Sequence, residues 1–162
     1  KKLEINYKLK KLSIEKFSHK AESRFLKRKL DLDVVVYSLI RIKDHFKARE
    51  LHLSIKENES NFNDIAAKYT EGLEKLTRGI VGPIALSSAH PKIIKVLTSI
   101  QPGELYKPIV VDDWNIIIRL ESLKPASLDE AMRLQMAREL LVEWVDEESK
   151  SIMSKLFIKK NN

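Results

Sequence analysis

The chain has 162 residues, 43% hydrophobic and 33% charged, which is typical of one globular domain with an additional segment and excludes two large domains. It has no cysteine, which excludes disulfides and thiolate metal sites, and no apolar run near the roughly 18 residues of a membrane span. The net charge of +7 is concentrated in residues 1–30, which hold 11 Lys or Arg against 3 Asp or Glu.

Residues 1–31 are predicted to form a basic helical arm, because they lack Gly and Pro and are rich in good helix formers. Ser13 is expected to cap a helix with one apolar stripe, formed by Ile14, Phe17, Ala21 and Phe25. The Lys and Arg residues of the arm could bind an anionic membrane surface or nucleic acid, or form a solvated face opposite the stripe. Since no nucleic-acid-binding motif accompanies them, we expect no nucleic-acid partner.

Between residues 33 and 122 the sequence predicts alternating strands and helices. A β-branched run at 34–42 indicates a strand, and Asp44 is expected to cap the helix that follows it. The remaining predicted elements are a helix at 62–69, a strand at 79–83, a helix ending at Ile100, and strands at 108–111 and 114–121. The order is therefore βααβαββ.

Residues 127–158 are predicted to form one long C-terminal helix. The segment Ser127-Leu128-Asp129-Glu130 has the Ser-x-x-Glu spacing of a capping box. Apolar residues then recur at helical spacing, and we expect Trp144 and Val145 to pack against the apolar stripe of the arm.

This order of elements, together with several short motifs, resembles the parvulin-type peptidyl-prolyl cis-trans isomerase (rotamase) family. The motifs are Thr70-Glu71 after a helix, Gly79-x-x-Gly82 in a strand, the turn Pro102-Gly103-Glu104, Pro108, and the closing strand from Trp114 to Leu120. The flanking helices are similar to those of bacterial foldases and periplasmic chaperones. The resemblance implies an α+β fold, in which a parvulin-like domain at residues 33–122 has a small, mainly antiparallel sheet.

The resemblance also implies a proline pocket. Ser38 and Asn115 take the positions of the family's two histidines, Gly72 takes that of an acidic residue or cysteine, and Val111 takes that of a threonine. The other predicted substrate-binding residues are Ile40, Val81, Ile84, Ala89, His90, Ile93 and Ile117. Ser38 and Asn115 are thus the predicted catalytic residues. Alternatively, they bridge two central strands by hydrogen-bonding each other, and the apolar residues are core.

Isomerisation of an Xaa-Pro bond faces a barrier of roughly 20 kcal/mol, and catalysis must favour the twisted amide over both planar forms. Because the pocket lacks the family's histidines and its acid or thiol, we expect weak or absent catalysis with retained binding of unfolded or proline-containing polypeptide. The alternative is a non-catalytic adaptor with a link to protein export.

No cofactor or metal is predicted, since His45 and His52 are seven residues apart rather than the four of a helical metal pair. The chain begins at Lys1 without a signal-peptide pattern, as expected of a trimmed fragment. The sequence leaves the compartment open between cytoplasm and cell envelope, and it specifies no oligomeric state.

Overall fold

The computed structural model describes residues 2–160, and the protein divides into two compact units. The first comprises Lys1–Lys29 and Ser127–Asn162, and the second comprises Leu30–Ala126. The helices are α1 Lys2–Phe17, α2 Ala21–Lys27, α3 Lys29–Leu32, α4 His45–Lys56, α5 Phe62–Tyr69, α6 Pro91–Leu97 and α7 Glu130–Lys160. The strands are β1 Val34–Ile42, β2 Ile80–Ala85, β3 Leu105–Val111 and β4 Trp114–Lys124, and short 3₁₀ helices lie at Ser18–Lys20, Leu73–Thr77 and Leu86–Ser88.

The four strands of the second unit form one sheet in the order β2-β1-β4-β3, with every neighbouring pair antiparallel. The pairing of β1 with β4 shifts between Val36 and Tyr37, which pair with Ser122 and Leu120 and leave Glu121 as the extra residue of a bulge. Helices and an antiparallel sheet together confirm the predicted α+β fold class.

The sheet has two covered faces, because successive side chains of a strand point to opposite sides. The α5 face consists of Ile40, Ile42 and Ile117 from the strands, packed against Leu51, Ile55, Phe62 and Ala66 of α4 and α5. The α6 face consists of Val35, Tyr37, Leu39, Ile116 and Ile118 from the strands, packed against Ala89, Ile93, Val96 and Leu97 in and beside α6.

Two helix starts in this unit follow directly from capping by polar side groups. The Asp44 carboxylate accepts a hydrogen bond from the Lys47 backbone N–H at 3.0 Å, which confirms the predicted cap of α4. The Asn61 side chain caps α5 in the same way, through the backbone N–H of Asn63 at 2.9 Å.

In the first unit, α1 and α2 pack against α7. Phe17, Ala137 and Leu141 form its small buried core, and the Phe17 and Trp144 rings lie 6.4 Å apart. Arg24 forms ion pairs with Glu139 and Glu143, and Arg28 also binds Glu139. These carboxylates neutralise part of the arm's positive charge. None of the helices within residues 2–160 combines the length and apolarity needed to cross a membrane.

Some sequence predictions for this unit were wrong. Ser13 lies buried inside α1, where its hydroxyl donates to the Lys10 carbonyl at 2.8 Å, so it caps nothing. The helix is interrupted instead at Ser18–Lys20, and Ile14 is exposed. Val145 is also exposed, whereas its neighbour Trp144 packs as predicted.

The start of α7 differs from the predicted capping box as well. The helix begins at Glu130, and the Asp129 carboxylate accepts from the backbone N–H of Met132 at 2.8 Å. Asp129 is therefore the cap, two residues after the predicted Ser127.

Candidate functional site

The residues predicted to line one pocket lie on two opposite faces of the sheet. Val81, Ile84, Ala89, Ile93 and Val111 belong to the α6 face, together with the neighbouring strand residues of that side. Ile40 and Ile117 are buried in the α5 face, and the partners of Ser38 and Asn115 place these two side chains on the same α5 face. Placing all of them in one pocket was therefore wrong, because side chains on opposite faces of a sheet cannot line the same cleft.

Ser38 is fully buried and bound to a charged partner. Its hydroxyl donates to Glu121 Oε1 at 2.5 Å, and the same oxygen accepts from Arg119 Nε at 2.8 Å. The Arg119 guanidinium in turn lies 4.9 Å from the centre of the Phe62 ring on the α5 face. The bulge at Glu121 brings this carboxylate beside Ser38, so the hydroxyl is engaged inside the fold.

Asn115 occupies the other end of the same strand pair, opposite Ile42. Its amide nitrogen donates to the Lys43 carbonyl at 2.8 Å, and its oxygen lies 3.0 Å from His45 Nδ1. The amide thus joins β4 to the turn between β1 and α4. Ser38 and Asn115 do not hydrogen-bond each other, so the alternative interpretation of them as a mutual pair was also wrong.

The α6 face has a partly accessible apolar wall. Val81 and Ile84 of β2 and Trp114 of β4 are half-buried, whereas Ala89 and Ile93 of the same cluster are buried. His90 is exposed and caps α6, with its Nδ1 accepting from the Lys92 backbone N–H at 3.2 Å. Val111 is buried and provides no polar group.

Three polar side chains on this face were missed from sequence. Tyr37 of β1 is buried in the α6 face, and Arg41 lies two pleats further along, with its guanidinium 5.7 Å from the centre of the Trp114 ring. Glu74, in the 3₁₀ helix Leu73–Thr77, forms an ion pair with Arg41. Alternate residues of a strand share a face, so Tyr37, Leu39 and Arg41 of β1 lie on the same side of the sheet. This alternation could have identified them, but the sequence prediction used Ser38 and Ile40, which face the other side.

Gly72 lies directly over this ion pair. A Cβ placed on Gly72 would overlap a carboxylate oxygen of Glu74 and stand 3.1 Å from Arg41 Nε. The segment is held against β1 by two hydrogen bonds, from the Arg41 backbone N–H to Thr70 Oγ1 and from the Glu71 backbone N–H to the Arg41 carbonyl, both 2.9 Å.

Burial raises the pKa of the Tyr37 phenol above its ordinary value, and the Glu74 carboxylate raises this pKa further while Arg41 acts in the opposite direction. The phenol is therefore neutral at physiological pH and remains a hydrogen-bond donor. Within residues 2–160, no group of three His, Asp or Glu side chains is arranged to hold a metal ion.

The family model described as "Rotamase: PPIC-type PPIASE domain" matches residues 42–122, which is half of the chain. The protein belongs to the PPIC-type, or parvulin, peptidyl-prolyl isomerase family. The matched range contains α4, α5, α6, β2, β3 and most of β4, whereas β1 precedes it apart from Ile42. Among curated proteins, none matches this sequence.

Solved structures of bacterial foldases and chaperones have a similar fold. Peptidylprolyl isomerase (PrsA) from Bacillus anthracis has a TM-score of 0.57 at 17% identity, over 74% of this chain and 59% of that one. PrsA from Bacillus cereus has a TM-score of 0.59 at 16% identity, over 99% of this chain and 60% of that one. A structure from work on SurA-like chaperones of Campylobacter jejuni has a TM-score of 0.54 at 13% identity, over 94% and 68%.

The protein thus spans about three fifths of the length of the two PrsA proteins. At these identities the likeness concerns the fold. The family's fold is present, while the residues that the sequence predicted to line its pocket are divided between two faces.

Proposed function

We propose that the protein is a foldase or chaperone module that binds extended or unfolded polypeptide, including proline-containing segments, along the α6 face. The observation that carries this proposal is the accessible apolar wall of Val81, Ile84 and Trp114 beside an Arg41–Glu74 pair. Peptide sites combine apolar area with a few placed polar groups in this way. The opposite face has its apolar side chains buried under α4 and α5.

We further propose that isomerase catalysis is weak or absent. Lowering the barrier requires donors or charges placed against the twisted amide in a site that excludes water. Ser38 and Asn115 are bound to Glu121, Lys43 and His45 on the α5 face, so their donors are directed away from the cleft. On the α6 face the polar groups include the Tyr37 phenol, Arg41 and Glu74.

The test is an NMR titration of the ¹⁵N-labelled protein with a capped alanine peptide that contains one proline, followed by exchange spectroscopy of the cis and trans peptide signals. We expect chemical-shift changes at Val81, Ile84 and Trp114, and cis-trans exchange close to the uncatalysed rate. Shift changes confined to the α5 face, or their absence at every peptide concentration, would refute the proposed site. Exchange at rates typical of an efficient isomerase would refute weak catalysis.

Two neighbouring positions of β2 provide a matched pair of variants. Val81 faces the α6 side, whereas Ile80 precedes it on the same strand, is 45% exposed and faces away. Val81→Arg should abolish the peptide-induced shifts, because it places a charge in the apolar wall. Ile80→Arg should leave these shifts unchanged.

A non-catalytic adaptor for one dedicated partner is the second candidate. It is favoured by Leu73 and Leu76, which are each 84% exposed on the 3₁₀ helix that carries Glu74. A peptide array distinguishes the two functions: many unrelated apolar or proline-containing sequences should bind a foldase, whereas one sequence should dominate for an adaptor.

A further inference from the structure

The Arg41–Glu74 pair on the α6 face is partly shielded and incompletely bonded. Arg41 Nη2 binds Glu74 Oε1, while 33% of the Arg41 side chain and 14% of the Glu74 side chain remain exposed. Within residues 2–160, neither Arg41 Nε nor Glu74 Oε2 has a hydrogen-bond partner, although both atoms are buried. A donor and an acceptor without partners in a folded protein are costly, which makes them candidates for bonding a ligand.

Gly72 is what allows the carboxylate to lie there. A side chain at position 72 would overlap Glu74, so the Glu74 carboxylate fills the space that a residue-72 side chain would occupy. The backbone of Gly72 has φ −100° and ψ 178°, an extended conformation that any residue adopts. Glycine at this position therefore leaves space for the Glu74 carboxylate where it now lies, and the backbone conformation does not require it.

The two atoms without partners are one donor and one acceptor, which complement the C=O and N–H groups of a peptide backbone. A backbone N–H of a ligand can donate to the carboxylate oxygen, and a backbone C=O can accept from the guanidinium N–H. Trp114, beside Arg41, and the buried Tyr37 phenol border this polar spot with ring surface, which suits an extended peptide lying across it.

We propose that Gly72, Arg41 and Glu74 form a subsite that binds the backbone of a client polypeptide, with Glu74 Oε2 accepting a peptide N–H and Arg41 Nε donating to a peptide C=O. This inference rests on the proposed peptide-binding function and adds how the cleft recognises its ligand. Because the subsite would bind backbone N–H and C=O groups, its binding would not depend on the client's side chains. Both atoms are buried, so this proposal requires the partly exposed Arg41 and Glu74 side chains to reorient when a peptide binds.

The test replaces single amides of the ligand by esters, which removes one N–H at a time. The probes are the capped alanine peptide with one proline and its single-ester analogues, titrated by NMR. With the wild-type protein, one analogue should bind about tenfold more weakly, the loss expected for a hydrogen bond to a charged group. In Glu74→Gln this ester penalty should shrink to about threefold or less, and in Glu74→Ala it should disappear.

Two further variants separate this role from a structural one. Glu71→Gln changes a carboxylate three residues away, which accepts from the Lys43 backbone N–H at 2.9 Å, and it should keep the full ester penalty. Gly72→Ala should remove the penalty by displacing the Glu74 carboxylate, while Gly72→Ala combined with Glu74→Ala should behave like Glu74→Ala alone.

An ester penalty that is the same in the wild type and in both Glu74 variants would overturn the subsite while leaving peptide binding intact. A parent peptide that binds with no penalty for any ester would also overturn it. If the parent peptide does not bind to the wild type at all, the proposed peptide-binding function itself fails.

Discussion

The two faces of the sheet treat their polar side chains differently. On the α5 face, Ser38 and Arg119 both donate to the Glu121 carboxylate. The Asn115 amide is also engaged at both ends, with its nitrogen bonded to Lys43 and its oxygen to His45. On the α6 face, the Arg41–Glu74 pair retains one donor and one acceptor without partners among the described residues. Satisfied buried networks help to fix a fold, whereas groups without a partner retain bonding capacity that a ligand could use. This contrast is what the proposed function predicts, with the α5 face supporting the structure and the α6 face binding peptide.

The largest expected effect tests whether the α5 face supports the fold. Phe62 is almost fully buried there, so Phe62→Ala should lower the free energy of unfolding by about 3–5 kcal/mol, measured by urea denaturation. Phe46 is 82% exposed and provides the matched control, and Phe46→Ala should change stability by no more than about 0.5 kcal/mol. Equal losses in the two variants would contradict the assignment.

Removal of the Ser38 hydroxyl should lower the free energy of unfolding by less than Phe62→Ala does, but it tests one particular hydrogen bond. Among the described residues, Ser38→Ala leaves Arg119 as the remaining partner of Glu121, and we expect a loss of about 1–2 kcal/mol in the free energy of unfolding. Peptide affinity and cis-trans exchange should be unchanged, because the hydroxyl lies on the α5 face. The exposed Ser87→Ala is the stability control. A loss of peptide binding in Ser38→Ala would contradict this assignment and would indicate that Ser38 belongs to the peptide-binding site.

The sequence predicted the order of the elements because turns and caps are local signals. Asp44 begins α4 as its position suggested, and the antiparallel sheet follows from the predicted strands. Ser13 and Ser127 failed as caps for different reasons. Packing buries Ser13 within a continuous helix, and Asp129 offers a competing cap two residues later.

The site was less predictable because β1 is apolar on both of its sides. A strand whose residues alternate between polar and apolar reveals its buried face, but Val34–Ile42 is covered on both faces, so period-two alternation does not identify the cleft. An error of one residue in the predicted register of β1 then assigns Ser38 to the pocket in place of Tyr37 or Leu39. The position of the Glu74 carboxylate depends on the path of a short 3₁₀ helix, which places it next to Gly72. The sequence has no periodic pattern that predicts this path.

The hydrogen bonds of Asn115 make a prediction about histidine tautomers. Since the Asn115 amide nitrogen donates to Lys43, its oxygen must accept from His45, so neutral His45 should have its proton on Nδ1. His90 Nδ1 instead accepts from the Lys92 backbone N–H, so neutral His90 should have its proton on Nε2.

Long-range ¹⁵N-¹H NMR spectra measure both tautomers in one sample. In Asn115→Ala the preference of His45 should weaken and stability should fall by about 1 kcal/mol, while His90 is unaffected. Identical tautomers for His45 and His90 in the wild type would be inconsistent with the bonding of the α5 face.

The smallest expected effect concerns the α6 face and appears only at alkaline pH. Burial, followed by the Glu74 carboxylate, raises the pKa of Tyr37 above its ordinary value of 10.0. The unfolded protein therefore loses this proton at lower pH than the folded protein. The stability that Tyr37 contributes is complete below pH 10 and is lost as the pH rises from there through the raised pKa.

Ultraviolet titration of tyrosinate, with Tyr37→Phe as the reference, measures this pKa against those of the other tyrosines. Glu74→Gln should lower the pKa of Tyr37 but leave it above its ordinary value, because burial is the larger cause. Glu71→Gln should have little effect. If Glu74→Gln leaves the pKa of Tyr37 unchanged, the carboxylate does not lie beside the phenol, and the α6 face lacks the polar group that distinguishes it from the α5 face.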